Sequence, residues 1–211
     1  MSSGTSRPYR KRRRAEQEAR TRLRITEAAA RLHGTVGPAR TTVSLIAAEA
    51  GVQRATVYRH FPDAESLFQA CSAHWASANP PPDPGAWQSI EDPARRLRAA
   101  LDELYRWYEW AAPMLANVLR DAPSVPAMGK AFDGFAQRFE ALAAALLQGR
   151  SERGRPRARV AAAIGHAMAF DTWRSLTLTH GLRRAEAVEL MLSLVDAAAA
   201  LGEPRPGHRG G

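Results

Sequence analysis

The segment from Thr41 to Phe61 constrains the fold more than any other part of the sequence. It reads TTVSLIAAEAGVQRATVYRHF. In its first half, apolar residues recur at i, i+3, i+4 and i+7, which predicts a short helix with one apolar face. Gly51 follows that helix, and a glycine adopts the left-handed backbone of a tight turn without a Cβ clash. A second helix is expected from Gln53 to His60. The apolar positions of the first helix are Val43, Ile46, Ala47 and Ala50.

The second helix of this pair is expected to carry a polar outward face. Val52 and Val57 face inward, and the outward side holds hydrogen-bond donors beside two small residues that let bases come close. This layout predicts a helix-turn-helix whose second helix enters the major groove of DNA. An ordinary αα-hairpin with a solvated polar face fits the same pattern, so the choice between them rests on the rest of the chain. The outward residues are Gln53, Arg54, Ala55, Thr56, Tyr58 and Arg59.

The placement of charge favours the nucleic-acid interpretation. The net charge is +9. From Met1 to His60 there are 13 Lys and Arg residues against four Asp and Glu, whereas the remainder has 17 of each. The whole excess therefore lies in the segment that holds the helix pair, which indicates a polyanionic partner at that end. A membrane surface is the weaker alternative, because no basic helix with bulky apolar residues on its opposite face occupies this region.

Length and composition predict a globular protein. The 211 residues, 45% of them hydrophobic, allow one medium domain or two small ones. There is no run of about 18 apolar residues, so no membrane span is expected, and no apolar stretch of a secretory signal follows the basic N-terminus. Cys71 is the single cysteine and is expected to be a small buried hydrophobe. A lone thiol fits the reducing cytoplasm, which is the expected location.

Helical periods without any strand signal predict an all-α fold of about nine helices. We expect a disordered basic arm over residues 1–14, a helix-turn-helix domain over 15–78 with the motif at 42–61, and a proline-rich linker over 79–86. A helical domain over 87–201 and a flexible tail over 202–211 complete the chain. The first helix is expected over about Ala15 to Leu32, with Leu23 and Ile25 facing inward. The C-terminal helices are expected over Pro93 to Trp110, Pro113 to Leu119, Pro126 to Gln148, Pro156 to Thr179, and Arg183 to Leu201.

Five consecutive basic residues precede the first helix. A solvated tail is one interpretation of such a charge run. The other, which we favour, is an arm that contacts DNA phosphates without reading sequence, and whose removal lowers the salt dependence of binding. The residues of this arm are Arg10, Lys11, Arg12, Arg13 and Arg14.

Taken together, these features resemble the tetracycline-repressor (TetR) family of bacterial transcriptional regulators. The pattern matches from about Ile25 to Leu67, and the C-terminal half matches in helix count, length and order. The resemblance implies an N-terminal helix-turn-helix DNA-binding domain, a C-terminal ligand-binding and dimerisation domain, and a regulator of transcription, with repression the usual mode. The residues that carry it are Thr41 to Val43, Ile46, Ala47, Ala50 to Val52, Thr56 to Pro62, Leu67 and Phe68.

The resemblance also assigns roles to individual residues. Thr42, Tyr58 and His60 lie where the family contacts phosphates, and the residues at 53–56 lie where it reads base edges. Arg54 can pair with a guanine and Gln53 with an adenine. Two positions depart from the family pattern: Ala64 stands where a phosphate-binding lysine is usual, and His33 stands where a bulky aromatic is usual.

A partner of two-fold symmetry follows from the same resemblance. One recognition helix contacts few bases, and proteins of this kind bind two half-sites about 34–36 Å apart as dimers. The stretches that match the family's dimer interface are 158–179 and 185–201, both rich in alanine, which lets helices approach closely. Packing within one chain is the alternative for the same residues.

The middle helices carry many aromatic residues, from which we expect a pocket for an apolar or aromatic effector that releases the DNA. Core packing is the alternative explanation for each of them taken singly. The expected pocket residues are Trp107, Trp110, Met114, Phe135, Phe139, His166, Phe170 and Trp173.

No catalytic constellation is recognisable. The six histidines are scattered, and the sequence has no HExxH, paired cysteines or glycine-rich phosphate loop. We therefore expect no enzymatic activity, no cofactor and no metal. The alternative function is a DNA-binding or architectural protein that responds to no ligand.

Overall fold

The computed structural model describes residues 6–201, and all of the regular structure among them is helical, which confirms the all-α prediction. The predicted flexible tail at 202–211 lies outside the described residues. Short 3-10 turns join several helices, and a turn of π-helix at Ser175–Thr179 follows α8. The helices are α1 (Ser6–Thr35), α2 (Val43–Glu49), α3 (Arg54–His60), α4 (Ala64–Ala78), α5 (Pro93–Asp121), α6 (Gly129–Leu146), α7 (Gly154–Met168), α8 (Phe170–Arg174) and α9 (Arg184–Ala200).

These helices form two compact units. The first comprises the residues up to Pro80 together with Ala111–Phe135, and the second comprises Pro81–Trp110 and the residues from Ala136 onward. Residues 111–135 were expected in the C-terminal domain. They belong to the first unit because Asn117 and Asp121, near the end of α5, hydrogen-bond to residues 33–39, and Met128 joins the core of that unit.

The core of the first unit is built by α1 to α4. Ile25, Ala28 and Ala29 of α1 are fully buried and meet the apolar faces of the other helices. Thr42 caps α2 by accepting the Leu45 backbone N–H at 3.2 Å. Gly51 separates α2 from α3 with φ of 63°, as the turn was predicted to require. The residues that pack against α1 include Ile46, Ala47, Val57, Phe61, Leu67, Phe68 and Cys71.

A hydrogen-bonded clamp holds the loop that leads into α2. The Asp121 carboxylate accepts the Ala39 backbone N–H at 3.0 Å and two N–H groups of Arg120 at 2.7 and 3.1 Å. Asn117 donates to the carbonyl oxygens of His33 and Gly34 at the end of α1. Buried polar groups are usually hydrogen-bonded in this way, and these bonds let the end of α5 fix the entry to α2.

The first helix is longer than predicted. The prediction of a disordered arm is wrong for residues 6–14, which form the first turns of α1, whereas residues 1–5 lie outside the described part. Two i,i+4 ion pairs, Arg12 with Glu16 at 2.9 Å and Arg14 with Glu18 at 3.1 Å, relieve the repulsion among the basic residues. Leu23, expected to face inward, is 47% exposed.

The fifth helix continues through Pro113, where two helices were predicted. Proline removes one backbone hydrogen bond and disfavours a helix interior. Here its ring is exposed, while Ala111 and Leu115 on either side are buried. Burial of the flanking turns therefore holds the helix across the proline.

In the second unit, the single helix predicted over 156–179 is interrupted. Ala169 has an extended backbone, with φ of −67° and ψ of 136°, and separates α7 from α8. Two hydroxyls from α5 satisfy the carbonyl groups exposed by this break: Tyr105 donates to Ala167 at 2.8 Å and Tyr108 donates to Met168 at 2.6 Å. The break is therefore stabilised by residues distant in sequence.

Candidate nucleic-acid interface

The outward face of α3 is exposed. Gln53 is the N-cap residue of this helix, and its exposed backbone and side chain lead into the first turn. Arg54, Ala55, Tyr58 and Arg59 are exposed as well, at the i, i+1, i+4 and i+5 spacing of one helical face. On the opposite face, Val57 is 1% exposed and anchors the helix in the core. The structure thus brings three of the four predicted base-reading residues, Gln53, Arg54 and Ala55, together on one accessible surface.

The remaining predicted contact residues flank that surface. Thr42 is exposed at the start of α2, where its hydroxyl already accepts the Leu45 N–H and keeps its own proton free to donate. Thr56 and His60 are half-buried, and Tyr58 is 50% exposed. These positions suit contacts to a phosphate backbone running along both sides of a groove.

The end of α3 is fixed to α1 by an arginine that the sequence did not single out. Arg22 donates to the His60 carbonyl oxygen, and its guanidinium lies 4.0 Å from the centre of the Phe61 ring. Such a stacked cation adds both packing and electrostatic attraction. Arg22 precedes the buried Ile25 by three residues, and this helical spacing was the signal that could have identified it.

The surroundings of the His60 imidazole disfavour its charged form. Its Nε2 atom is buried without a hydrogen-bond partner. Desolvation by burial, followed by the positive charges of Arg59 and Arg22, lowers the pKa of His60, and Glu18 opposes this shift. An anion near this ring would favour its protonated form.

A surface cleft of about 280 Å³ opens beside His60, between α1 and α3. Four of its lining residues come from α1 and two from the end of α3. Within it, the Arg14 guanidinium pairs with Glu18 at 3.1 Å, and the Thr21 hydroxyl donates to the Gln17 carbonyl oxygen at 2.9 Å. The lining residues are Arg14, Gln17, Glu18, Thr21, Arg59 and His60. Sequence reasoning missed Gln17 and Thr21.

The start of α4 carries acidic residues where the resemblance leads us to expect a phosphate-binding lysine. Asp63 caps the helix by accepting the Ser66 backbone N–H at 2.7 Å, and this hydrogen bond lowers the pKa of its carboxyl group. Glu65 pairs with Lys130 at 2.7 Å. Both carboxylates thus have partners within the first unit, and neither offers a donor to a phosphate.

The predicted effector residues are divided between the two units. Met114 and Phe135 belong to the first, and the other six belong to the second. In the second unit, Phe170 and Trp173 pack around Tyr108 with ring centroids 5.3 and 5.6 Å from it, and Trp107 lies 5.5 Å from the same ring. These three predicted residues are buried, as core packing also requires, and the Trp173 Nε1–H has no hydrogen-bond partner.

His166 does not join that aromatic cluster. Its ring is exposed, and its Nδ1 atom lies 3.4 Å from the Thr172 hydroxyl. Trp110 is 48% exposed, whereas Phe139 is half-buried.

Among residues 6–201, no group of three or more His, Cys, Asp or Glu side chains is close enough to hold a metal ion. None of the helices in the same part of the chain is long and apolar enough to cross a bilayer.

Comparison with known proteins agrees with this geometry. Residues 25–71 match the family model described as bacterial regulatory proteins, tetR family. This range contains the C-terminal part of α1, all of α2 and α3, and the first half of α4. No curated protein matches the sequence significantly.

Solved structures of tetR-family regulators share the fold. A TetR-like transcriptional regulator from Rhodococcus sp. RHA1 superposes with a TM-score of 0.60 at 18% identity, covering 85% of this chain and 96% of that one. PfmR, a TetR-family regulator from Thermus thermophilus, gives 0.54 at 22% identity over 89% and 97% of the two chains. A TetR regulator from Haloarcula marismortui gives 0.56 at 18% identity over 86% and 97%.

Proposed function

Because residues 25–71 match the model of the tetR family of bacterial regulatory proteins, we propose that this chain regulates transcription by binding a palindromic operator as a dimer. The observation that carries the proposal is the exposed face of α3. It presents donors and small side chains outward while Val57 holds the helix against the core. We assign repression as the mode and the cytoplasm as the place of action.

The contacts divide into base reading and positioning. We assign base reading to Gln53, Arg54, Ala55 and Thr56, with Arg54 pairing with the two acceptors of a guanine. Positioning by phosphate contacts falls to Thr42, Tyr58, Arg59 and His60, which surround the base-reading residues.

The dimer is proposed to form through α7 and α9. Each helix leaves an apolar stripe exposed at helical spacing in the described protomer. Exposed apolar stripes on adjacent turns mark surfaces that bind another protein, and a two-fold interface between identical chains is the commonest oligomer contact. The stripe on α7 comprises Ala158, Ala162 and Gly165, and that on α9 comprises Leu190, Leu194, Ala197 and the adjoining Leu201.

An apolar or aromatic small molecule is proposed as the effector. Support comes from the aromatic cluster of the second unit and from the unpartnered Trp173 Nε1–H within it, which offers one directed hydrogen bond in apolar surroundings. Such a ligand releases DNA only if it binds the DNA-incompetent state more tightly than the competent one.

Selection of random duplex DNA on the purified protein tests the function directly. We expect enrichment of a palindrome with half-sites about one helical turn apart. Arg54→Ala should relax the preference at one position of each half-site and weaken binding by about 1–3 kcal/mol per half-site. Arg153→Ala, which changes an exposed arginine of the second unit, serves as the control of equal charge.

Failure to enrich any duplex at low salt would refute DNA recognition. A gel shift on the selected operator that no apolar or aromatic compound reverses would instead favour the ligand-independent alternative.

A further inference from the structure

One face of α1 changes character along its length. From Ile25 onward the face is apolar, with Ile25 and Ala28 fully buried and Leu32 partly buried. The same i, i+3, i+7 spacing continued towards the N-terminus leads through Thr21, Glu18 and Arg14 to Lys11 and Arg10. The residue types on this face thus change from those that suit a protein core to those that suit an anion.

The N-terminal part of α1 is exposed over most of its length in the described part of the chain. Residues 9–24 are exposed apart from the half-buried Thr21, and they contain eight Lys and Arg against two Glu. At 1.5 Å per residue, this exposed stretch is about 24 Å long. A helix that is polar all round requires a partner or many ion pairs to remain helical, and only two i,i+4 pairs involve these residues among the described side chains.

The cleft described above lies where this face passes the end of α3. Arg14 and Gln17 line it from α1, and Arg59 and His60 line it from α3. The Arg14–Glu18 pair is exposed and therefore worth little energy, so an incoming anion can replace Glu18 without a large cost. The His60 Nε2 atom still lacks a partner.

We propose that the first turns of α1 form a rigid second DNA-binding element, in which the inner face at Arg10, Lys11 and Arg14 follows the duplex backbone and the cleft beside His60 holds one phosphate. This inference rests on the proposed function, because the cleft adjoins the end of the helix assigned to the major groove. It replaces the predicted mobile arm by a helix whose orientation is fixed by the Arg22 contacts to His60 and Phe61.

Duplex DNA fits this surface better than a membrane does. Tyr9 and Leu23 are the only large apolar residues among the exposed positions of 9–24, and they share the outer face with Arg12, Glu16 and Arg20. Membrane-surface helices need a continuous apolar face opposite their charges. The basic residues of α1 instead lie next to the end of α3, the helix that is proposed to enter the major groove.

Two triple variants of equal charge test the proposal. The inner variant replaces Arg10, Lys11 and Arg14 by Gln, and the outer variant replaces Arg12, Arg13 and Arg20 by Gln. Each removes three positive charges and one i,i+4 ion pair, and Gln retains helix propensity, which circular dichroism verifies. The probe is the duplex selected by the wild-type protein.

Because the proposed dimer carries the inner substitutions twice, six phosphate contacts are lost, and we expect the slope of log Kobs against log salt to become shallower by about 5 for the inner variant and by less than about 1 for the outer one. Replacing backbone phosphates singly by neutral methylphosphonates should reveal one position, flanking the half-site, that weakens wild-type binding but leaves Arg14→Gln unaffected.

Equal slope changes in the two triple variants, or unchanged slopes in both, would overturn the proposal, as would the lack of any phosphate coupled to Arg14. Binding of the inner face to anionic vesicles in preference to the duplex would overturn it in favour of a membrane. If wild-type protein fails to bind any duplex, the proposed function itself has failed. If wild-type protein binds and the inner variant behaves identically, only the role of α1 has failed.

Discussion

Two glycines of the first unit have positive φ for different reasons. Gly51 has φ of 63°, and a Cβ added there would meet nothing within 4 Å. Gly37 has φ of 91° and ψ of 156°, a conformation that glycine alone adopts readily. A Cβ added there would also lie 2.5 Å from Asp121 Oδ2, inside the clamp on the loop before α2.

We therefore expect Gly37→Ala to lower the free energy of unfolding by about 3 kcal/mol, from backbone strain and crowding together. Gly51→Ala is the matched control, with a loss of about 1 kcal/mol from backbone strain alone. Urea unfolding followed by circular dichroism measures both. Equal losses for the two variants would show that the clamp contributes no constraint at Gly37.

His33 makes the stability of the fold dependent on pH. The residue is 7% exposed, its ring lies 5.2 Å from that of Phe68, and its Nδ1 atom lies 3.4 Å from the Cys71 sulfur. Burial lowers the pKa of His33 from 6.5 to about 4, with Asp121 opposing the shift. Between these values the unfolded chain binds a proton at this residue that the folded chain does not, so stability falls as the pH drops.

This shift predicts that His33 removes roughly 3 kcal/mol of stability between about pH 7 and about pH 4. His33→Phe places an aromatic that cannot titrate at the same position, and its unfolding free energy should lose correspondingly less over that range. Urea titrations at a series of pH values measure both proteins. If the unfolding free energies of the wild type and the variant changed in parallel with pH, a group other than His33 would cause the loss of stability in acid.

At the scale of the element, the break between α7 and α8 depends on two hydroxyl groups of α5. Burial raises the pKa of both Tyr105 and Tyr108, so each remains a protonated donor at physiological pH. Tyr108 is 1% exposed and donates to the Met168 carbonyl oxygen at 2.6 Å. Removing that hydroxyl leaves a buried carbonyl group without its donor.

Tyr108→Phe should therefore destabilise the protein by about 1–2 kcal/mol while leaving the ring packing against Phe170 and Trp173 in place. Thr177→Val is a control that removes the hydroxyl of a half-buried residue bonded within its own helical turn, and it should cost less. Thermal unfolding in parallel measures the difference. A Tyr108→Phe variant as stable as wild type would mean that the break forms without this hydrogen bond.

The elements that the sequence predicted well are those with local signals. For α2 and α3, the apolar spacing, the Thr42 cap and the Gly51 turn all lie within the motif, and the observed helices match the predicted segment closely. The break at Ala169 was missed because its hydroxyl donors come from α5. The start of α1 was not predicted because a run of basic residues is typical of a solvated tail. Here Arg12 and Arg14 pair with glutamates one turn later, and these ion pairs support the helix.

The candidate site likewise has one part that local sequence predicts and one part that it does not. The outward face of α3 follows from helical periodicity alone, so its residues were identified before the structure. The cleft needs α1 and α3 to be placed side by side, and that placement depends on the core around Ile25 and on the Arg22 contacts. No local pattern specifies such a juxtaposition.

At the scale of the whole molecule, the proposed function requires a second copy of the chain. One α3 contacts few bases, so the proposal has two copies act together on a palindrome. Leu190 and Leu194 of α9 are 47% and 39% exposed in the protomer, while Met191 and Val195 beside them are buried. The exposed pair is thus available to a partner without contributing to the protomer's own core.

This separation allows a test in which assembly changes and folding does not. Leu190→Glu combined with Leu194→Glu places two carboxylates on the proposed interface, where burial without partners is costly. We expect the double variant to keep its helical content and thermal stability as a monomer, to halve its mass in solution, and to lose high-affinity binding to the palindrome while retaining weak binding to single half-sites.

Leu23→Glu, at another exposed leucine, should leave the mass unchanged. Light scattering measures mass and gel shift measures binding. A double variant that remains dimeric would show that the interface does not involve this face of α9. A double variant that becomes monomeric yet binds the palindrome as tightly as wild type would show that operator recognition does not require a dimer.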